Sequence, residues 1–272
     1  MKKPARLMLA SAVVLASGGC TVLEDREPCP CYLDIDYREV LSSDLSQEAQ
    51  RKVEVGLFDA GLCWTADHPL EDCPPLEEVS VDKSRLRAVA VVHDHPFRVY
   101  LGGGTEIRYE AGNQIDALFV HSEEVDCTAE EARCVIRAHK QFSTLRFTDE
   151  AGGDLCRQYN MVVRGTTCGF DAADYSALDG PYLYTVQEDD GQGQVCVRIP
   201  RQKEADLLLE FWDKEDHLKR FTCPVGLYLF ASGYDPQAVD LPDYEIRIDF
   251  RSGLLYLRVA DWEDVYLHSL YD

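Results

Sequence analysis

Strict alternation of apolar and polar residues constrains this chain more than any other feature. In YEIRIDF, residues 244–250, the apolar side chains Tyr244, Ile246, Ile248 and Phe250 occupy every second position. Only an extended strand gathers such residues on one face, because successive strand side chains point to opposite sides. The same period recurs at Leu33, Ile35 and Tyr37, at Val53, Val55 and Leu57, and at Phe97, Val99 and Leu101. Apolar runs at 115–120, 142–147, 182–186, 195–199, 207–212 and 227–230 fit further short strands. Arg251-Ser252-Gly253 separates 244–250 from LLYLRVADW, which predicts a hairpin with Gly253 free to take positive φ. Helical signal is sparse. Thr128 and Glu131 have the spacing of a capping box, and 46–51 suits one short helix.

Many short strands divided by Gly, Pro and Asp predict an all-β protein of the sandwich type. Without its first 19 residues the chain has room for about two sandwiches of roughly 100 residues each. The expected seam lies near 127–140, which divides the chain into 29–134 and 135–272. No internal repeat or low-complexity tract is visible in the sequence.

The N-terminus predicts export. Lys2, Lys3 and Arg6 precede an uncharged apolar stretch, Leu7 to Ser17, and Gly18-Gly19-Cys20 follows. This is the layout of a secretory signal. The stretch would rise only about 16 Å as a helix, about half of a bilayer core. A cysteine directly after Ser-Gly-Gly resembles a lipobox, with Ser17 standing where leucine is preferred. The expectation is a lipoprotein signal peptide over 1–19, with lipid on Cys20 and an acidic tether over 20–28 carrying Glu24, Asp25 and Glu27. The alternative is an ordinary signal peptide whose cut falls near Cys20 by chance. Buried acyl methylenes contribute about 0.8 kcal/mol each, so such an anchor is durable. Acids close behind the lipid cysteine also resemble the export signal of lipoproteins sent to the cell surface.

Ten cysteines remain: Cys29, Cys31, Cys63, Cys73, Cys127, Cys134, Cys156, Cys168, Cys196 and Cys223. An even set in an exported chain predicts disulfides. The counting rule allows about 945 full pairings, so connectivity stays open. Cys63–Cys73, Cys127–Cys134 and Cys156–Cys168 are the simplest local closures. Cys29 and Cys31 point to opposite faces of a regular strand and are expected to bond to different partners. The thiols are scattered and form no CxxC pair, so a thiolate metal centre is not expected.

Composition and motifs exclude more than they select. The formal charge of −22 repels nucleic acid, and removal of the basic signal makes the chain more acidic still. No GxSxG, HExxH, P-loop or dinucleotide glycine pattern occurs, so neither an enzyme nor a cofactor is expected. His93-Asp94-His95 is the best local metal candidate, but Pro96 marks a turn. Gly102-Gly103-Gly104 opens no helix and reads as a loop. Glu188-Asp189-Asp190-Gly191 lacks the spaced oxygens of a calcium loop and reads as a hairpin tip. Trp64, Trp212 and Trp262 could stack on sugars, although strand aromatics more often pack a core.

One set of segments occurs in a characteristic order. CPCYLDIDY (29–37) and KVEVGLFDAG (52–61) come first. HKQF (139–142), RGTTCGFD (164–171), RIPRQ (198–202), LEFWD (209–213), GYDPQAVDLPDYEIRID (233–249) and RVADW (258–262) follow. In this order and spacing they resemble the FimB/Mfa-type fimbrial anchor lipoproteins of type V pili, over nearly the whole mature chain. The resemblance implies two transthyretin-like, Ig-like Greek-key sandwiches. It implies a minor subunit at the fibre base, lipid-anchored in the outer membrane at the cell surface. It also implies fimbrillin stalk subunits as partners, joined by donor-strand exchange, in which main-chain hydrogen bonds give affinity and alternate side chains give register. It carries over Cys20 as a functional residue and no catalytic residues. The competing expectation is a stand-alone surface lipoprotein binding glycan or host protein.

Overall fold

The structure, a computed structural model, describes residues 29–47, 51–94, 101–149, 158–186, 194–249, 254–259 and 265–269. Cys20, the tether, Phe97, Val99, Cys156, the 188–191 loop, Gly253 and Trp262 lie outside these residues.

Nine strands occupy the first half: β1 Cys31–Asp36, β2 Arg51–Phe58, β3 Leu62–Pro69, β4 Leu76–Val81, β5 Arg85–Asp94, β6 Glu106–Arg108, β7 Phe119–Asp126, β8 Glu131–Val135 and β9 His139–Lys140. They form a three-stranded sheet, β4-β1-β8, and a five-stranded sheet, β3-β2-β5-β7-β9. β6 joins neither. The second half contains β10 Phe142–Asp149, β11 Tyr159–Asp171, β12 Ala177–Thr185, β13 Gln194–Pro200, β14 Leu208–Asp213, β15 Lys219–Cys223, β16 Tyr244–Asp249, β17 Leu254–Val259 and β18 Val265–Ser269. Its sheets run β13-β10-β16-β17-β18 and β12-β11-β14-β15.

The two halves share one topology. β1 lies between antiparallel β4 and parallel β8, as β10 lies between antiparallel β13 and parallel β16. The order β3-β2-β5-β7 matches β12-β11-β14-β15. The protein is therefore all-β, two sandwiches built on a repeated strand order that no sequence repeat betrays. β9 lengthens one sheet of the first sandwich, and β17 and β18 lengthen one sheet of the second.

The alternating segments behave as strands with one buried face. Leu33, Ile35 and Tyr37 are fully buried, as are Val53, Val55 and Leu57, and Tyr244, Ile246 and Ile248 are buried at 1% exposure or less. β16 and β17 pair antiparallel from Asp249–Leu254 onward, as the hairpin expectation requires.

Four local expectations fail for physical reasons. Thr128 starts no helix. Its hydroxyl and N–H both donate to Asp126 Oδ1, at 2.6 and 3.0 Å, and Glu131 enters β8 beside β1. The 46–51 helix is a short 3-10 turn, Asp44–Gln47, and Arg51 already begins β2. Leu227–Phe230 lies in a helix, α2, Val225–Ala231, which buries Val225, Gly226 and Leu229. Burial at 225 and 229 has helical, not strand, spacing. Leu101 opens a 3-10 turn, Leu101–Gly103, because the buried Glu54 carboxylate accepts its N–H at 2.7 Å. A shorter helix, α1, Arg38–Ser42, follows β1.

Candidate functional site: the seam between the sandwiches and the edge beside it

The two sandwiches are locked by an exchange of long connections. The β5–β7 connection reaches into the second half. Its β6 pairs antiparallel with β11, Gly169 opposite Arg108 and Asp171 opposite Glu106. Flanking bonds extend the contact: Tyr109 N–H to Cys168 O and Ala172 N–H to Thr105 O, both 2.8 Å. Gly169 permits it, since a Cβ there would stand 2.1 Å from Ile107 O. Farther on, Arg198 Nη1 donates to Ile115 O at 3.3 Å. Ile115, Ala117 and Leu118 are therefore buried without being strand.

The β15–β16 connection reaches back. Asp240 accepts Lys140 N–H at 2.7 Å and lies 3.0 Å from His139 Nδ1, and Leu241 N–H donates to Lys140 O at 3.1 Å. Asp243 pairs with Lys140 and accepts Thr144 N–H at 2.7 Å. Burial alone would push the Asp243 carboxyl up, but those hydrogen bonds outweigh it and hold it below the usual carboxylate range.

Arg201 and Gln141 close the seam. Arg201 is 1% exposed. Its Nη1 donates to Pro236 O and Ala238 O, at 2.7 and 2.9 Å, and its Nη2 to Gln141 Oε1 at 2.6 Å. The Tyr175 ring lies 5.7 Å from the guanidinium carbon. Burial pulls the Arg201 pKa below the ordinary arginine value. Gln141 also donates from Nε2 to His139 O and Val239 O, at 3.1 and 3.0 Å. Four of the eight segments that carry the family resemblance meet here: HKQF supplies His139, Lys140 and Gln141, RIPRQ supplies Arg201, CGFD supplies Gly169, and the 233–249 segment supplies the reach-back loop.

β5 is the strand between the two cores. Ala88, Ala90 and Val92 pack into the first core, while Val89 and Val91 pack into the core shared with the second half. The sequence reading passed over this strand, because its run of apolar residues does not alternate. An unbroken apolar run of strand length is the signal that would have found it.

Beside the seam, β12 ends its sheet. A groove of 880 Å³ lies between β11, β12 and the 203–208 segment, lined by Arg164, Asp179, Leu183, Lys203 and Asp206 among others, and the Gly112 N–H of the β5–β7 connection covers Leu183 O at 2.8 Å. Leu183 is 37% exposed. The register of β11 and β12 shifts twice along this stretch, around Thr167. Tyr182, the aromatic residue lining the groove, is 2% exposed and donates its hydroxyl to Arg198 O, so it offers no face to a sugar ring.

The other candidates resolve as follows. His93 is buried at the end of β5 and Asp94 is paired with Arg51 at 2.8 Å; His95 lies outside the described residues. Trp64 packs against the first core, and Trp212 donates Nε1–H to Glu210 Oε2 at 3.2 Å. His121, Glu123 and Cys134 cluster within metal-binding reach. However, His121 Nδ1 accepts the Arg137 N–H at 3.3 Å, so neutral His121 carries its proton on Nε2, the nitrogen that faces Cys134. A metal ligand needs that lone pair free. Burial also pushes the Cys134 thiol up to about 12, which leaves it a poor ligand and a poor nucleophile.

Among the cysteines, Cys29, Cys63 and Cys196 are exposed and Cys31, Cys73, Cys127, Cys134 and Cys223 are buried. Cys63 and Cys73 cannot form the local closure. Cys63 is the second residue of β3, whose residues rise about 3.3 Å each, and Cys73 is held past its far end by a bond to Leu70 O. Of the Cys127–Cys134 pair, Cys134 Sγ meets His121 Nε2 at 3.6 Å, whereas the Cys127 thiol has Cys31 as its first electrostatic neighbour. Arg108 Nη1 donates to the Cys168 sulfur at 3.4 Å.

No protein-family model and no curated protein matches the chain. Solved structures do. A candidate adhesin from Bacteroides ovatus aligns with a TM-score of 0.60 at 12% identity, over 89% of this chain and 97% of that one. A candidate polysaccharide-binding protein from Bacteroides thetaiotaomicron aligns at 0.59 and 15% identity, over 89% and 99%. The fimbrial anchor protein Mfa2 from Porphyromonas gingivalis aligns at 0.58 and 9% identity, over 89% of this chain and 100% of that one. The chain thus shares its fold with these three proteins over 89% of its length.

Proposed function

We propose that this protein is the anchoring subunit at the base of a type V fimbria. Lipid on Cys20 holds it in the outer membrane at the cell surface, and a stalk fimbrillin docks on it by strand addition. The observation that carries the reading is the match to the fold of a fimbrial anchor over 89% of this chain, joined to a sequence four of whose anchor-like segments assemble the seam of that fold. A subunit under load needs two bodies that do not part, and the reciprocal connections supply this. A non-enzymatic role fits the inert chemistry of the His121 cluster.

The β12 edge is our candidate acceptor for the donor strand. It ends its sheet, the groove offers room for side chains, and exposed Leu183 marks an apolar subsite, where an incoming strand would displace the Gly112 N–H that now donates to Leu183 O at 2.8 Å. The disulfide candidates belong to the same reading, as staples of an exported protein.

The test is a pull-down from detergent-solubilised envelopes, run unheated and heated on a denaturing gel, with mass spectrometry of each band and of the N-terminal peptide. A heat-sensitive ladder containing fimbrillins, with acylated Cys20, is expected, and Leu183→Asp is expected to remove the ladder while the protein stays in the membrane. A lone acylated band would replace the anchor reading with a stand-alone surface binder. An unmodified Cys20 would overturn the anchoring itself.

A further inference from the structure

We infer that Cys31 and Cys127 form a disulfide that rivets the first strand of the N-terminal sandwich to its opposite sheet. Three backbone relations bring the two residues to one end of that sandwich. Cys31 stands opposite Val81, the last residue of β4. Cys127 N–H donates to Ser84 O, in the turn that leaves β4, at 2.9 Å. Tyr32 N–H donates to Glu130 O, three residues past Cys127, at 2.8 Å. Both side chains are fully buried in the same core, and the Cys31 thiol is close enough to help raise the Cys127 pKa.

The location suits a cross-link. Packed sheets lie about 10 Å apart, too far for the Cα separation of about 4.4–6.8 Å that a disulfide needs. Cys127 sits on the connection that carries the chain from β7 in the five-stranded sheet to β8 beside β1, where the gap is crossed. The rival partners are engaged elsewhere: Cys134 faces His121, and Cys29 is exposed ahead of the strand.

The chemistry balances by exchange. One cysteine thiolate attacks an external disulfide, of the kind carried by thiol oxidases of the exported compartment, and expels one thiol. The second thiolate then displaces the mixed disulfide. The Cys31–Cys127 bond forms, two protein thiol protons are lost, and the external disulfide is reduced to two thiols. Burial pushes the Cys127 thiol up to about 12. Thiolate is therefore scarce once the core has closed, so the bond forms during folding and is shielded afterwards. It closes a loop on the order of 100 residues, the range in which cross-links constrain the unfolded chain most. β1 directly follows the tether, so the bond passes a pull on the N-terminus into both sheets.

The test uses the full chain carrying Cys29→Ala, exported by cells, alkylated before unfolding and digested with trypsin without reduction. Peptide 27–38 is expected linked to peptide 109–133, and reductant is expected to separate them. Recovery of both as alkylated thiols, or of 27–38 linked to another cysteine, overturns the inference. A second readout is stability. Cys31→Ala, Cys127→Ala and the double variant are expected to lower the denaturation midpoint equally, because either change removes the whole bond; additive losses overturn it. The inference does not rest on the fimbrial reading. A linked pair in a protein that captures no fimbrillin would leave the disulfide standing and remove the stalk.

Discussion

β5 and β14 hold the same place in the two sandwiches, and their outer faces are opposites. On β5 the outer side chains Val89 and Val91 are fully buried in the seam. On β14 the inner residues Leu209 and Phe211 are buried likewise, but the outer face carries a buried, paired carboxylate, Glu210, and half-buried Trp212. Glu210 lies 3.3 Å from Lys219 Nζ and 3.6 Å from Arg164 Nη2. One strand order thus serves two surroundings: an apolar wall between cores, and a sheet whose outer face holds a buried carboxylate paired with half-exposed cations. The difference teaches that neighbours set the outer-face composition, while topology sets the inner face.

Reversing one outer face is the largest expected break. Val91→Asp buries an unpaired carboxylate in the seam and is expected to cost more than about 4 kcal/mol. The loss would appear as a collapse of the urea midpoint or failure to accumulate folded protein. Glu210→Val is expected to cost about 1 kcal/mol, because the change removes the buried charge itself and leaves only Lys219 and Arg164, at 43% and 54% exposure, free to rehydrate. Equal losses at the two sites would show that the faces do not differ as described.

The second break is confined to the first sandwich. Asp36 is 2% exposed at the end of β1. Hydrogen bonds from Arg38, and then from Arg133, hold its carboxyl well below the usual range despite burial. Asp36→Asn is expected to cost about 3 kcal/mol at pH 7, the low end for a broken buried pair, since both arginines are more than half exposed. A depressed folded pKa stabilises above the unfolded value, near 4, and that stability is lost as pH falls toward the folded value. The gap between wild type and variant is therefore expected to narrow below about pH 4. Urea midpoints at pH 7 and pH 3 check it, and a constant gap would remove Asp36 as its source.

How much of this was legible follows from what leaves a local trace. β1 and β16 alternate because one face is largely wet, and β2 alternates although Glu54 and Gly56 on its other face are buried too, so the apolar residues of all three are readable one by one. β5 has no wet face, so its AVAVV run offered no period to read. The 227–230 run inside α2 reads as a strand because a four-residue apolar run looks the same in either state, and only Pro224 ahead of it hints at a helix start. Arg201, Gln141 and Asp240 left no local signal. Their partners are scores of residues away, and a buried arginine held by carbonyls looks like any surface arginine in sequence. Ordered resemblance flagged those segments; only the fold brings them together. The repeated topology was invisible for the reason β5 and β14 illustrate: equivalent strands carry different residues wherever their outer surroundings differ.

The reach-across contact is the third target. Gly169→Ala sets a methyl against Ile107 O and is expected to lift β6 from β11 at a cost of about 2 kcal/mol, typical of overpacking. Hydrogen exchange is expected to quicken at Tyr109 and Ala172, whose N–H groups flank the pairing, before it quickens inside either sandwich. Uniform quickening would mean that the two bodies unfold as one.

The reach-back contact is expected to respond least, and it sharpens the comparison most. Asp240 is exposed, so its ion pair with His139 contributes little in water. The larger share is the Lys140 N–H, which Asp240 Oδ1 accepts at 2.7 Å; water can replace that acceptor at an exposed site. Asp240→Ala is therefore expected to cost about 1 kcal/mol. Arg201 and Gln141 hold the same loop by its carbonyls at Pro236, Ala238 and Val239, so the loop is expected to stay docked. Limited proteolysis within 235–242 measures this directly. Resistance close to that of wild type would locate the strength of the seam in the buried carbonyl clasp, whereas rapid cleavage would move it to the exposed aspartate and make the second sandwich's connection the weaker of the two.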